Sequence, residues 1–195
     1  MPVPPFPTDK KKLAALGVRQ IMRFCRINEM PSPAVKIIPR EDWHVSTCAY
    51  YRKETISICL EECQWPCGEA MSRNWTWPGN TVDREPYGVI CHELGHHVDW
   101  LTGKERHAYS SEFSEELMKE SREKPLTGYC PNPAEWFAEM FRLFVTNHYL
   151  LKAVRPKTWK LFRSRWKPVS GEDWEAEMGG NVPSRIVKAA RNKIC

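Results

Sequence analysis

Residues 89–100 read VICHELGHHVDW. On a helix turning about 100° per residue, His92 and His96 lie one above the other, with Asp99 on the same side. Ile90, Leu94, Val98 and Leu101 form a stripe on the opposite side, so such a helix has one face for a core and one for a cation. Two imidazoles one turn apart can hold a single zinc ion through neutral nitrogens. Glu93 follows the first histidine, turned off the ligand face, where it can take a proton from an attacking water. Gly95 has no side chain, which lets another backbone pass close to the metal. His97 points about 100° away from His96 and cannot join the same site; its role is structural or that of a donor behind the ligands.

A catalytic zinc takes three protein ligands and keeps one position open. The segment NPAEWFAEMFRLF (132–144) offers the third. Asn132 caps a helix, and Pro133 fits its first turn, where a missing N–H costs nothing. Trp136, Phe137, Met140, Phe141, Leu143 and Phe144, extended by Ala134 and Ala138, cover more than half of the circumference, which predicts a mostly buried helix. Glu135 and Glu139, one turn apart, share the remaining side with Arg142. Carboxylates on such a helix are costly unless a cation or hydrogen-bond donors meet them. One can bind the metal while the other accepts the second N–H of a ligand imidazole. The competing account pairs both with Arg142 or with lysines at the surface.

Other elements must position these two helices. Thr8 is placed to cap a helix over 9–28, with Leu13, Leu16, Ile21 and Phe24 on its apolar side. AVKII (34–38) reads as a strand, and CAYYR (48–52) and TISICL (55–60) as two strands joined by a tight polar turn. A long irregular segment with Trp65, Trp75 and Trp77 runs from Glu61 to Pro86; loops of that length in small domains are functional or disordered. Helices are predicted at 87–101, 111–122 and 133–146, then two basic helical stretches over 147–166 and a last helix near 183–193. Early strands and late helices predict an α+β fold. At 195 residues the expectation is one domain over 1–195, with the sheet and the metal helix in 1–104 and a helical part in 105–195 that supplies the third ligand.

The composition is that of an ordinary globular protein, 42% hydrophobic and 27% charged, and a net charge of +5 permits anionic partners without demanding them. No apolar run approaches the roughly 18–20 residues of a membrane span. The start, MPVPPFPTDKKK, has no apolar stretch of the signal-peptide kind, so an intracellular, cytoplasmic chain is expected. In that compartment the eight cysteines read as thiols or metal ligands rather than disulfides.

Together the two motifs resemble the gluzincin-type zinc metallopeptidases, in particular the catalytic domain of anthrax lethal factor and its bacterial and phage-encoded relatives. HELGHHVDWLTG (92–103) is similar to that family's His-Glu-x-Gly-His-x-Val-Asp segment, NPAEWFAEMFRLF to its third-ligand helix, and RPKTWKLF (155–162) to the stretch that follows; the likeness covers about 88–103 and 130–165. It implies a zincin-like fold, a small mixed or antiparallel sheet packed on the metal-binding helix. It implies one catalytic zinc on His92, His96 and Glu135, with Glu93 as general base and Glu139 behind the ligands. Asp99, on the ligand side of its helix, is a further candidate for that supporting layer. A tyrosine before the third-ligand helix steadies the oxyanion in that family; Tyr129 matches with a spacing one residue shorter, and Tyr109 is a substitute. Peptide binding as an added strand is also implied, with TISICL as the expected edge and the Trp-rich segment walling the cleft.

Two constellations remain. Cys59, Cys63 and Cys67, with Cys48 upstream, are candidates for a second metal site or simply separate thiols. KAVRPKTWKLFRSRWK (152–167) is a basic amphipathic stretch that would either touch nucleic acid or pack Trp159, Phe162 and Trp166 on the core. The leading expectation is a zinc endopeptidase acting on a protein or peptide substrate. The rival is a zincin-fold binding or structural module without catalysis, with the basic helix over 152–167 as a candidate contact for nucleic acid.

Overall fold

The computed structural model describes residues 9–63, 85–103, 106–107, 110–126 and 132–169. Among these, five helices and a three-stranded mixed sheet make an α+β arrangement.

Helix α1 (Lys10–Ile27) turns Leu13, Ile21 and Phe24 into the core. Its cap is Asp9, whose carboxylate accepts from the Lys12 N–H, and not Thr8, which lies outside the described residues. Both residue types can cap, and the sequence does not choose between neighbours. Strands β1 (Ala34–Ile37), β2 (Ala49–Arg52) and β3 (Thr55–Ile58) follow. Lys53 and Glu54 both adopt positive φ, 47° and 61°, which gives the two-residue turn that closes the β2–β3 hairpin with the right-handed twist of its strands.

The strand order corrects one expectation. β3 pairs with β1 in parallel and with β2 antiparallel, so TISICL supplies the central strand and not an edge. Within the described sheet the edges are β1 and β2. Alternation within a strand reports which faces are buried and says nothing about its neighbours.

Helix α2 (Pro86–Thr102) is the middle of the molecule, packed by α1 and α4 and by the β2–β3 hairpin. Ile90, Leu94 and Val98 are fully buried, as the apolar stripe predicts, but most of the other side is buried as well. A short hairpin, β4 (Arg106–His107) and β5 (Ser110–Ser111), leads to α3 (Glu112–Ser121), where Ser111 and Ser114 form a reciprocal cap.

Helix α4 (Pro133–Val154) starts as expected, with Asn132 Oδ1 accepting from the Glu135 N–H at 3.0 Å. It is kinked at Asn147 (φ −156°, ψ 76°), whose side chain caps the next turn through the Leu150 N–H. That break sits where the helix over 133–146 is expected to end. Helix α5 (Pro156–Arg163) folds back so that Phe162 and Trp166 join Phe24, Phe137, Phe141 and Phe144 in one aromatic cluster. Phe162 and Trp166 of the basic stretch are therefore committed to the core, and Trp159 packs half-buried against it. One cation of that stretch is committed too: Arg155 is buried and donates to the carbonyls of Lys124, Pro125 and Val154. None of the described helices is long and apolar enough to cross a membrane. Residues 64–84 of the Trp-rich segment expected from Glu61 to Pro86, and the helix expected near 183–193, fall outside the described residues.

Candidate metal centre

The centre lies where α4 crosses α2. A Cβ built on Gly95 would stand 2.6 Å from the Ala138 Cα, so the two backbones touch there and only glycine fits. His92 lies three residues before Gly95 and His96 one after; Glu135 and Glu139 stand at the same offsets from Ala138. One close crossing thus brings four side chains from distant parts of the chain face to face.

His92 Nε2 lies 3.1 Å from Glu135 Oε2, and His96 Nε2 lies 3.5 Å from Glu135 Oε1. One donor atom each from His92, His96 and Glu135 falls within 4.8 Å of the other two, and among the described residues no other three or more His, Cys, Asp or Glu come together in this way. Tetrahedral zinc with bonds of about 2.0–2.1 Å sets its ligand atoms roughly 3.3 Å apart, so this spacing fits a zinc ion.

The far side of His92 is equally defined. Its Nδ1–H donates to Glu139 Oε1 at 2.8 Å, which turns Nε2 towards the centre. Glu139 has no solvent exposure and is held in turn by Arg142, with Nε–Oε1 and Nη2–Oε2 both at 3.1 Å. Glu139 thus meets Arg142 and an imidazole at once, and the pairing with Arg142 is buried rather than at the surface.

Without a cation, these carboxylates control the charge of His92. Burial works against its protonated form, but hydrogen bonds to Glu135 and Glu139 and the charges of Glu139 and Glu93 outweigh it and push the imidazole up to about 10. Burial would raise Glu135, but the two histidines hold it well below the usual carboxylate range. Burial would also raise Glu139, yet Arg142 and His92 bring it down to about 2. A raised folded-state pKa stabilises the metal-free fold fully below the ordinary histidine value of 6.5, and that contribution is lost as pH rises towards about 10. A metal competes with this proton for Nε2. Zinc added to metal-free protein near pH 7 is therefore expected to release about one proton per ion from His92, seen as acidification of a weakly buffered sample. Binding without proton release would contradict the protonated bridge.

Glu93 is buried beside the centre and accepts from the main-chain N–H of Tyr51. Burial raises its pKa, partly offset by the charges of His96 and His92. A bound cation pulls in the same direction as those histidines. The Tyr51 contact has a simple cause. Cys59 N–H donates to the Cys48 carbonyl, so alternation along the hairpin turns the main-chain groups of Ala49 and Tyr51 away from β3. The outer edge of β2 thus faces the general-base candidate. His97 fixes that edge from below: its Nε2–H donates to the Pro31 carbonyl at 2.9 Å, leaving Nδ1 to accept from the Tyr51 hydroxyl at 3.0 Å. Neither role of Tyr51 has a signature in the sequence, because both depend on strand order. His97 is structural, one of the two roles expected for it.

Asp99, a candidate for the layer behind the ligands, feels the charge of His96 but sends its hydrogen bonds to the next helix. Its carboxylate accepts from the Ser111 hydroxyl and is also hydrogen-bonded by Ser114, tying the end of α2 to the start of α3. Burial raises its pKa against these bonds. Tyr129, Tyr109 and Cys67 lie outside the described residues. Of the other cysteines in that constellation, Cys48, Cys59 and Cys63 are buried free thiols. The Cys63 thiol donates to the Cys59 carbonyl at 3.3 Å and lies against Cys48, while Cys59 Sγ faces Glu61 at 3.4 Å. The thiol neighbour Cys48 and burial push Cys63 far up.

Comparison of the chain with family models, with curated proteins and with solved structures gave no match. The functional reading therefore rests on the sequence motifs and the geometry above.

Proposed function

We propose that this chain is a zinc-dependent endopeptidase with a zincin-like fold, of the gluzincin type that its two motifs resemble. The observation that carries the reading is the convergence of His92, His96 and Glu135 with Glu93 buried beside them. A structural ion has no use for a basic carboxylate next to its open position, whereas hydrolysis requires one.

His92, His96 and Glu135 would hold a zinc ion, which would supply Lewis acidity for the scissile carbonyl and for an attacking water. Glu93 takes a proton from that attacking water and delivers it to the leaving amine nitrogen. The Tyr51 N–H orients the Glu93 carboxylate for both transfers. Glu139 keeps His92 in the tautomer that presents Nε2. By the resemblance, Tyr129, with Tyr109 as its substitute, donates to the oxyanion of the tetrahedral intermediate. The substrate is a protein or peptide in extended form.

Elemental analysis of purified protein beside His92→Ala tests this reading. The expected result is one zinc per chain, lost in the variant. Two zinc ions with one surviving in the variant would add a second site at the cysteines. Metal-free protein that takes up no zinc would overturn the proposal, and HELGH would then be a buried ion-pair cluster in a binding module.

A further inference from the structure

Arg142 has no atom at the centre, yet it is almost fully buried, at 1% exposure, one helical turn beyond Glu139. Its two hydrogen bonds to Glu139 run in parallel, Nε to Oε1 and Nη2 to Oε2, both at 3.1 Å. Oε1 is the oxygen that also accepts from His92 Nδ1. The fork therefore fixes the plane of the carboxylate, and with it the line along which His92 is held. A lysine in the same place would bring the charge without fixing the plane.

Glu139 is a carboxylate with no solvent exposure, and the Arg142 guanidinium meets its charge. We propose that Arg142 is a positioning residue for the metal centre, acting through Glu139 to aim His92. The inference rests on the zinc reading above. It predicts that Arg142 and Glu139 behave as one unit towards the metal.

The test is a double-mutant cycle on zinc affinity, measured by competition with a chromophoric chelator. Glu139→Gln and Arg142→Met are each expected to weaken zinc by about 10–100-fold. The double variant is expected to bind no more weakly than Glu139→Gln alone, because the second change removes nothing that is still in use. Arg142→Lys is expected to recover part of the loss. The visible spectrum of the cobalt-loaded protein should shift in Arg142→Met and return towards wild type in Arg142→Lys, since it reports ligand geometry rather than overall stability. Losses that multiply in the double variant, or wild-type affinity and spectrum in Arg142→Met, would overturn the positioning role while leaving the zinc site intact. If Arg142→Met does not fold, Arg142→Lys and its double with Glu139→Gln decide the same question. Failure of wild-type protein to bind zinc would instead overturn the zinc reading itself, and this role with it.

Discussion

Glu93→Gln is expected to keep its zinc and to lose peptide hydrolysis by about 10²–10⁴-fold in kcat. The substitution is close to isosteric, and the amide oxygen can still accept from the Tyr51 N–H that meets Glu93. The three donor groups on His92, His96 and Glu135 are untouched, so metal content should match wild type. What disappears is a buried group able to accept a proton and return it to the leaving nitrogen. Assaying the variant against a panel of unfolded proteins, with zinc content measured on the same sample, separates the two properties. Undiminished cleavage would remove Glu93 from the mechanism. Loss of both zinc and cleavage would show that Glu93 builds the site rather than serving it.

Gly95→Ala is expected to damage the site more than its single methyl suggests. The new Cβ would meet the Ala138 Cα at 2.6 Å, and backbone cannot rotate out of the way as a side chain can. Overpacking of this kind costs about 1–3 kcal/mol, and more where backbone must shift. Relief comes from α4 moving off α2, which carries Glu135 away from His92 and His96. Zinc affinity should therefore fall by at least tenfold, with thermal unfolding of the metal-free protein lowered as well. Wild-type affinity in Gly95→Ala would mean that the helices do not cross as closely as described. Ala138→Gly as a second change should relieve part of the clash and restore part of the affinity.

Much of the helical framework was legible because helices declare themselves locally. Asn132 and Pro133 mark the start of α4, and its wide apolar face announces a buried helix. The periodicity of Ile90, Leu94 and Val98 orients α2. The candidate ligands could be named for the same reason, since a one-turn spacing fixes a face before any fold is known. Pairings between elements were not legible in the same way. TISICL has the composition of a strand whether it is central or at an edge. Asp99 shares a helix side with His92 and His96, yet it is met by Ser111 and Ser114 from the next helix. Arg142 was visible as a partner for Glu139 at i, i+3 spacing, but its place behind His92 appears only once α4 is laid across α2. The contact of Tyr51 with Glu93 joins a strand edge to a helix across 42 positions of chain, and no local pattern encodes it.

The sheet carries one more consequence, for how copies of this chain behave towards each other. An exposed strand edge is a template for any extended chain, including a second copy of itself. Of the two edges in the described sheet, β1 is four residues long, carries Lys36, and is bracketed by Pro33 and Pro39, neither of which can donate a ladder hydrogen bond. Short length, a lysine and flanking prolines are the devices that keep an edge from recruiting neighbours. β2 lacks the prolines, and its outer side faces Glu93. The chain discourages self-association on one side of a very small described sheet, and on the other Glu93 already takes the Tyr51 N–H that a paired strand would need.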